Sequence, residues 1–174
     1  SVTGLLQTKP SDDRLSPQDA NEIVEACVKM AEVKTGALIV IERNVSMGDI
    51  VSASGVAVDA VISSQLLINI FEDKTPLHDG AVIIRDNRVA AASCILPVTQ
   101  SEIGQELGTR HRAAVGASEV SDAFIIVVSE ETGKISIARD GKLEKAVSEA
   151  VFRQELLNLC EKTTPAGAKA INKI

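Results

Sequence analysis

The sequence is poor in aromatic residues, and this scarcity narrows the classes of function. Only 2% of its 174 residues are aromatic, with three Phe and neither Trp nor Tyr. Proteins that bind single-stranded nucleic acids stack bases on aromatic side chains, and duplex-binding proteins usually carry a basic face. The formal net charge of -6 argues the same way, so we expect no nucleic-acid partner.

Paired cysteines and long apolar runs are also missing. Cys27, Cys94 and Cys160 are odd in number, far apart and without a CxxC pair, which indicates reduced, buried thiols rather than disulfides or a zinc site. No apolar run reaches the length of a membrane span, and the N-terminus does not resemble a signal peptide. We therefore expect a soluble chain that is a piece of a longer protein.

The composition supports one hydrophobic core. Hydrophobic residues make up 45% of the chain, and its length fits one domain. Strand and helix patterns without an internal repeat predict a single α/β domain in which helices flank a central mixed β-sheet. We expect the domain to cover residues 16–161, preceded by a flexible linker at 1–15 and followed by a flexible tail at 162–174.

The clearest local patterns predict a first helix and a set of strands. Ser16 followed by Pro17 has the residue types of a helix start. Continuous apolar runs at 37–41 and 124–128 predict strands buried on both faces, the first at the centre of the sheet. Further strands are predicted at 134–138, antiparallel to 124–128, and in a hairpin of 81–85 with 88–96.

Three weaker patterns complete the predicted fold. The segment 44–55 is rich in turn residues, with a short strand predicted around Ile50. Asp59 is predicted to cap a second helix that directs these residues to the core: Ile62, Leu66, Leu67 and Ile70. The turn at Asp140 is predicted to lead into a final helix with these residues on its apolar side: Leu143, Ala146, Val147, Ala150 and Val151.

A glycine, a hydroxyl and three basic side chains precede an alanine-rich helix. They are Gly108, Thr109, Arg110, His111 and Arg112. Glycine admits a ligand close to the backbone, Thr109 suits the N-cap, and a helix N-terminus attracts phosphate. Successive helical residues lie about 100° apart, so Arg110 and Arg112 would point to nearly opposite faces, one toward phosphate and the other toward structure or a partner subunit. An exposed basic turn with an ordinary cap explains the same residues.

A second polar group precedes the predicted strand at 81–85. Asp79 is followed by Gly80 and Ala81, so little bulk beside it would obstruct a ligand. A carboxylate there can bind a divalent metal or accept a proton from a hydroxyl, but aspartates before glycine commonly order their own turn. His78 equally suits a metal ligand, an acid-base group or a side chain that fixes the loop.

A third polar group follows the strand at 124–128. Ser129 can bind a phosphate and Glu131 a metal or a ribose, and surface turn chemistry explains both equally well. Spacing excludes two familiar motifs. Lys134 lacks the glycine of a Walker loop, and no GxSxG motif surrounds Ser93.

Together, these segments resemble the bacterial diadenylate cyclase family, whose hallmarks are an Asp-Gly-Ala motif and an Arg-His-Arg motif. The matching segments are 75–81, 106–114 and 128–133. The chain looks most similar to the cytoplasmic catalytic domain of the membrane-bound class, which follows N-terminal transmembrane helices. The resemblance implies that those helices lie outside this chain and would tether the domain to the membrane.

The resemblance implies that two ATP are condensed into cyclic di-AMP with release of two pyrophosphates, assisted by Mg²⁺ or Mn²⁺. Each subunit of a face-to-face homodimer would hold one ATP, whose 3′-hydroxyl attacks the other nucleotide's α-phosphorus. In-line displacement places nucleophile and leaving group on opposite sides of phosphorus, so a monomer would turn over little. The alternative function is a binding module that senses ATP or cyclic di-AMP without catalysis.

Each motif residue also receives a role by this resemblance. The catalytic residues would be Asp79, Arg110, His111 and Arg112. The substrate-binding residues would be Gly80, Ala81, Leu96, Gly108, Thr109, Arg110, Ser129 and Glu131. The metal ligands would be Asp79, His78 and Glu131. Many relatives carry an aromatic residue where this chain has Ile95, which predicts weaker stacking on adenine.

Overall fold

The structure, a computed structural model, describes residues 15–161. The predicted tail at 162–174 and all but the last residue of the predicted linker lie outside this range. That last residue, Leu15, is 6% exposed and packs in the core. Between residues 15 and 161, no helix has both the length and the apolar character needed to cross a membrane.

Within the described range, helices flank a seven-stranded sheet. The helices are α1 (Pro17–Glu32), α2 (Gly48–Ser54), α3 (Ser64–Phe71), α4 (Thr109–Glu119) and α5 (Glu149–Leu159). The strands are β1 (Ala37–Ile41), β2 (Val56–Val61), β3 (Ala81–Arg85), β4 (Arg88–Cys94), β5 (Phe124–Val128), β6 (Ile135–Arg139) and β7 (Lys142–Glu144). Their order is β2-β4-β3-β1-β5-β6-β7. Among these seven strands of residues 15–161, only β1 and β3 pair in parallel, so the predicted mixed sheet is confirmed.

The central strand β1 is buried on both faces, as its continuous apolar run predicts. Side chains alternate along a strand, and those of Ala37, Ile39 and Ile41 enter the core that includes residues of α1, α3 and α5. Leu38 and Val40 enter a second core, which also contains residues of α4. Helix α2 packs against this second core. The domain therefore has three layers, with the sheet in the middle.

The predicted start of the first helix and the predicted hairpin are both confirmed. The Ser16 side chain accepts a hydrogen bond from the amide of Asp19, and Pro17 occupies the first turn. Asp86 and Asn87 have φ of 50° and 57°, the left-handed values that a two-residue hairpin turn requires. Cys27 in α1 is a buried thiol, as expected, and burial raises its pKa to about 12.

The short strand predicted around Ile50 is wrong, because this residue lies in α2. Ile50 and Val51 are partly buried against the second core. A helix places these two residues against the core although both are β-branched, so tertiary packing overrides their strand propensity. Asp49 lies in the first turn of the helix, where an acidic side chain is favourable.

Asp59 does not cap the second helix. The cap of α3 is Ser63, whose side chain accepts from the amide of Leu66. Asp59 instead lies in β2 with φ of 49° and binds Arg88 at 2.6 Å. Because β2 is an edge strand with mostly exposed side chains, its sequence lacks the apolar pattern of a buried strand. The helix still buries Leu67 and Ile70, as predicted.

The final helix begins later than predicted. The turn at Asp140 leads into the short strand β7, and α5 begins at Glu149 behind the cap Ser148. Leu143 therefore belongs to a strand, and Ala146 and Val147 lie in the connection. Val151 is helical but 46% exposed. A strand of three residues is too short to show alternation, so the sequence pattern here was ambiguous.

We expect that Gly116→Ala lowers the free energy of unfolding by about 2 kcal/mol through overpacking. A Cβ at Gly116 would collide with the carbonyl oxygen of Pro97, where the chain crosses α4 and the Thr99 amide donates to the Arg112 carbonyl at 3.0 Å. The control is Gly48→Ala, whose Cβ would meet only the Ser46 hydroxyl at 3.1 Å. Urea denaturation compares the two, and equal stability of both variants would contradict the close packing.

Candidate functional site

A cavity lies at one edge of the sheet, which is formed by strand ends rather than by an outer strand. At this edge lie the starts of β1, β3 and β6 and the end of β5. The register pairs Ile39 of β1 with Val82 of β3, and Ala37 of β1 with Val128 of β5. The cavity, of about 760 Å³, lies between the sheet and the N-terminus of α4. This volume is in the range of small-molecule sites.

Most of the residues predicted for the site line this one cavity. They are His78, Asp79, Gly80, Leu96, Gly108, Thr109, Arg110, His111, Ser129 and Glu131. Two predicted residues are not in its lining. Ala81 is fully buried in β3, and the Arg112 side chain is directed to a loop.

His78 is held in a fixed orientation beside Asp79. Its Nδ1 lies 2.6 Å from the carbonyl oxygen of Thr75, which can only accept, so Nδ1 carries the hydrogen. Nε2 faces two carboxylates, 3.3 Å from Oδ1 of Asp79 and 3.8 Å from Oδ1 of Asp73. The Asp79 side chain is 88% exposed, which leaves its carboxylate open to a ligand.

These donors suit a metal that takes most of its ligands from a substrate. Between residues 15 and 161, no group of three or more His, Cys, Asp or Glu side chains could hold a metal alone. Nε2 of His78 and the carboxylate oxygens of Asp79 are adjacent atoms that can coordinate a metal. Divalent ions of the Mg²⁺ type are commonly bound by one or two protein groups together with phosphates and water.

Gly80 gives the cavity a bare backbone wall beside Asp79. Its φ is 83°, a region that residues with a Cβ rarely adopt. A Cβ there would also lie 2.8 Å from the carbonyl oxygen of Cys94. Both the conformation and the space therefore require glycine, and a ligand can approach this backbone closely.

The first turn of α4 forms the opposite, polar part of the lining. Gly108 is the N-cap, has an extended backbone and provides no side-chain cap. The prediction that Thr109 is the N-cap is therefore wrong, since Thr109 is the first helical residue. The first amides of a helix have no partner within it and attract anions. Because both residues line the cavity, these amides are available to a phosphate group.

The two arginines of this turn have different surroundings, as their helical spacing predicts. Arg110 lines the cavity and lies across Gly36, where a Cβ would be 2.5 Å from its Nη1. The same Nη1 is 3.4 Å from Oε2 of Glu130. Arg112 instead donates from Nη2 to the carbonyl oxygen of Gly104 at 3.2 Å. Arg110 can therefore reach a ligand, whereas Arg112 holds the loop that precedes α4.

His111 is 7% exposed and lies in the cavity wall. Burial lowers its pKa below the ordinary value, and the nearby Arg110 cation lowers it further. The Glu131 carboxylate opposes this effect without cancelling it. The imidazole is therefore neutral at neutral pH and can offer one donor and one acceptor.

Ser129 begins a tight turn at the end of β5. Its hydroxyl oxygen accepts from the amides of Glu131 and Thr132, each at 3.2 Å. The hydroxyl hydrogen remains free to be donated to an anion in the cavity. Apolar residues line another part of the cavity, including Leu38, the 5% exposed Leu96 and the 73% exposed Ile95.

Sequence reasoning missed five charged residues of the lining. They are Asp73, Glu106, Glu130, Lys134 and Lys145. Glu106 and Glu130 lie inside the motif segments, so their proximity was a detectable signal. Lys145 had no such signal, because the sequence placed it in a helix rather than after a strand.

The family follows from the sequence comparisons. The model of the family described as DisA bacterial checkpoint controller nucleotide-binding, DAC, matches residues 24–143. The chain belongs to this family, which confirms the resemblance found in the motifs.

A curated protein is similar to this chain in sequence, and two solved structures are similar in both sequence and fold. The cyclic di-AMP synthase CdaA of Bacillus subtilis is 51% identical over 135 residues, which cover 77% of this chain and 49% of that protein. The chain thus spans about half the length of this curated relative. The crystal structure of a DacA double mutant from Staphylococcus aureus has a TM-score of 0.80 and 46% identity, covering 82% of this chain and 95% of that one. A structure from Bacillus cereus, titled a hypothetical membrane spanning protein, has a TM-score of 0.69 and 44% identity, covering 75% of this chain and 64% of that one.

The lowered pKa of His111 predicts a specific pH dependence of stability. The unfolded chain takes up a proton below the ordinary value of 6.5, whereas the folded protein resists it, so His111 contributes stability that is lost as the pH falls through that value. Urea denaturation of the wild type and of His111→Gln at neutral pH and at about pH 5.5 measures this. The wild type should lose more stability than the variant, and identical losses would contradict a buried neutral imidazole.

Proposed function

We propose that the chain is the catalytic domain of a diadenylate cyclase, which condenses two ATP into cyclic di-AMP and releases two pyrophosphates. The observation that carries this proposal is one cavity that combines the exposed carboxylate of Asp79 with the uncapped N-terminus of α4. The first is a group that accepts a proton, and the second binds phosphate. The name of the Bacillus subtilis relative, a cyclic di-AMP synthase, supports the same reaction.

Each part of ATP has a matching part of the lining. The adenine lies beside Leu96 and the ribose beside the bare backbone of Gly80. The triphosphate lies on the first turn of α4, where Arg110 adds a cationic fork and Ser129 a hydroxyl donor. Helix amides, a guanidinium and a hydroxyl are the groups that phosphate oxygens accept hydrogen bonds from.

Asp79 lies beside the 3′-hydroxyl and accepts its proton as the oxygen attacks phosphorus. The new bond joins this oxygen to the α-phosphorus of the second ATP, and the bond to pyrophosphate breaks on the opposite side. A cavity of about 760 Å³ suits one nucleotide, so the second ATP comes from another subunit. Two subunits therefore act as a face-to-face homodimer, in which both reactions together close the ring.

His78 and Asp79 would hold a divalent ion, Mg²⁺ or Mn²⁺, together with phosphate oxygens, and Glu131 of the same lining would complete the ligand set once the nucleotide is bound. When bound, the ion supplies positive charge against the charge that develops on the phosphates. The support from the chain is that Nε2 of His78 and the exposed carboxylate of Asp79 lie side by side in the cavity, where both can coordinate a cation.

Three of the predicted residues act without lying open in the cavity. His111 completes the wall behind the triphosphate as a neutral group. Arg112 positions the loop before α4 through the carbonyl oxygen of Gly104. Ala81 supports Gly80 from within β3. The other donors of the Arg112 guanidinium contribute to the contact between subunits.

The domain works at the cytoplasmic side of the membrane, to which transmembrane helices outside this chain tether it. Support comes from the Bacillus cereus structure, whose title describes a membrane spanning protein, and from the length of the Bacillus subtilis relative, about half of which this chain matches.

Asp79→Asn should reduce cyclic di-AMP formation at least about 100-fold, because the amide cannot accept the proton. Binding of 3′-deoxy-ATP, measured by calorimetry with Mg²⁺, should change less than about threefold, since Asp79 reaches the phosphates only through the divalent ion, which an amide oxygen can still bind. The matched control is Asp73→Asn, another exposed carboxylate beside His78, which should retain activity. Wild-type protein that yields only unreacted ATP with either metal would favour a binding module instead.

The two-subunit reaction predicts that specific activity depends on protein concentration. Below the dissociation constant of the homodimer, activity per milligram should rise with concentration, because a single subunit supplies one nucleotide. Product chromatography and analytical ultracentrifugation over the same concentrations measure both quantities. Constant specific activity in a range where the protein sediments as a monomer would contradict the face-to-face reaction.

A further inference from the structure

An ion pair joins two sides of the cavity near the phosphate end. Nζ of Lys145 lies 3.3 Å from Oε1 of Glu106, and both residues line the cavity. The pKa of Glu106 is lowered, first by a backbone hydrogen bond and then by Lys145, so the carboxylate is charged. Lys145 lies beyond residues 24–143, the part of the chain that the family match covers.

Hydrogen bonds fix the backbone on the C-terminal side of Lys145. The amide of Ala146 donates to the Ser136 hydroxyl at 3.2 Å, and the amide of Val147 donates to the carbonyl oxygen of Ile135 at 2.9 Å. Ala146 has φ of 52°, a left-handed value that alanine rarely adopts. Such outliers persist where the surrounding structure holds them, often at functional sites.

Lys145 is close to the groups that are proposed to bind the triphosphate. Its partner Glu106 lies two residues before Gly108, the N-cap of α4. Lys145, Arg110 and His111 all line the same cavity, and both cations lower the pKa of the His111 imidazole. A nucleotide phosphate on the first turn of α4 is therefore within the neighbourhood of the Lys145 ammonium.

The acidic residues of the cavity lining outnumber its cationic residues, so few cations are available to bind a phosphate. Its lining contains these five acidic residues: Asp73, Asp79, Glu106, Glu130 and Glu131. The cations of the lining are Arg110, Lys134 and Lys145. Acidic groups exceed cations, although the proposed substrate is itself strongly anionic. The ion pair has side chains that are 48% and 69% exposed, and such pairs are weak enough to exchange partners.

We propose that Lys145 is a further phosphate-binding residue of the nucleotide site, and that Glu106 holds it at the cavity until the triphosphate replaces the carboxylate. This inference rests on the proposed function, because it assumes that ATP lies on the first turn of α4. Lysine is a common phosphate ligand, and its four-carbon stem allows the ammonium to move between the two anions.

The test measures calorimetric binding of 3′-deoxy-ATP with Mg²⁺, a nucleotide that lacks the attacking hydroxyl. Lys145→Gln should weaken this binding about fivefold, whereas Lys145→Arg should stay within about twofold. The effect of Lys145→Gln should become smaller for 3′-deoxy-ADP and vanish for 3′-deoxy-AMP. The control is Lys142→Gln, which removes an exposed lysine of β7 that is outside the lining and should bind like the wild type.

Glu106→Gln separates a phosphate ligand from a merely structural ion pair. If Glu106 competes with phosphate for the ammonium, its removal should tighten 3′-deoxy-ATP binding about twofold. If the pair only stabilises the loop, both single variants should weaken binding in the same direction. That result, or Lys145→Gln binding like Lys142→Gln, would overturn the inference while leaving the proposed function intact. Wild-type protein that does not bind 3′-deoxy-ATP would overturn both.

Discussion

The pairing of β1 with two neighbours of opposite direction is the constraint on which the site depends. β3 runs parallel to β1 and β5 runs antiparallel to it. The start of β3 and the end of β5 therefore meet the start of β1 at one edge of the sheet. This arrangement brings Asp79, which precedes β3, and Ser129, which follows β5, to the same cavity although they are far apart in sequence. The side chains of β1 pack into both cores, so the same interactions that hold the cores together also position the polar groups at the ends of its neighbours.

Glycines at close contacts complete this arrangement. At Gly36 the missing side chain leaves room for the guanidinium of Arg110, which is thereby held against the edge of the sheet. At Gly116 it lets the chain after β4 cross α4, and this crossing positions the loop that carries Glu106. The positive φ of Gly80 exposes bare backbone beside Asp79. The polar side chains of the site therefore depend on backbone contacts that only glycine permits.

The parts of the fold that could be read from the sequence are those whose local pattern agrees with their burial. β1 and β5 are continuous apolar runs, and Ser16 with Pro17 forms an unambiguous helix start. The errors at Ile50 and Asp59 have the opposite cause. Ile50 is in a helix because packing overrides its propensity, and Asp59 is in an exposed edge strand that has no apolar pattern.

The motif residues that line the cavity could be predicted from the sequence because their segments resemble the motifs of one family; taken singly, a pair such as Asp79-Gly80 suits an ordinary turn equally well. The different directions of Arg110 and Arg112 also followed from helical spacing. Lys145 could not be identified, because its position depends on the pairing of β7 with β6.

The most direct test of the account is a crystal structure of the protein with 3′-deoxy-ATP and Mg²⁺. The account predicts the triphosphate on the first turn of α4, the ribose beside Asp79 and the adenine beside Leu96. A nucleotide bound outside this cavity, or one with its adenine at α4 and its phosphates at Leu96, would contradict it.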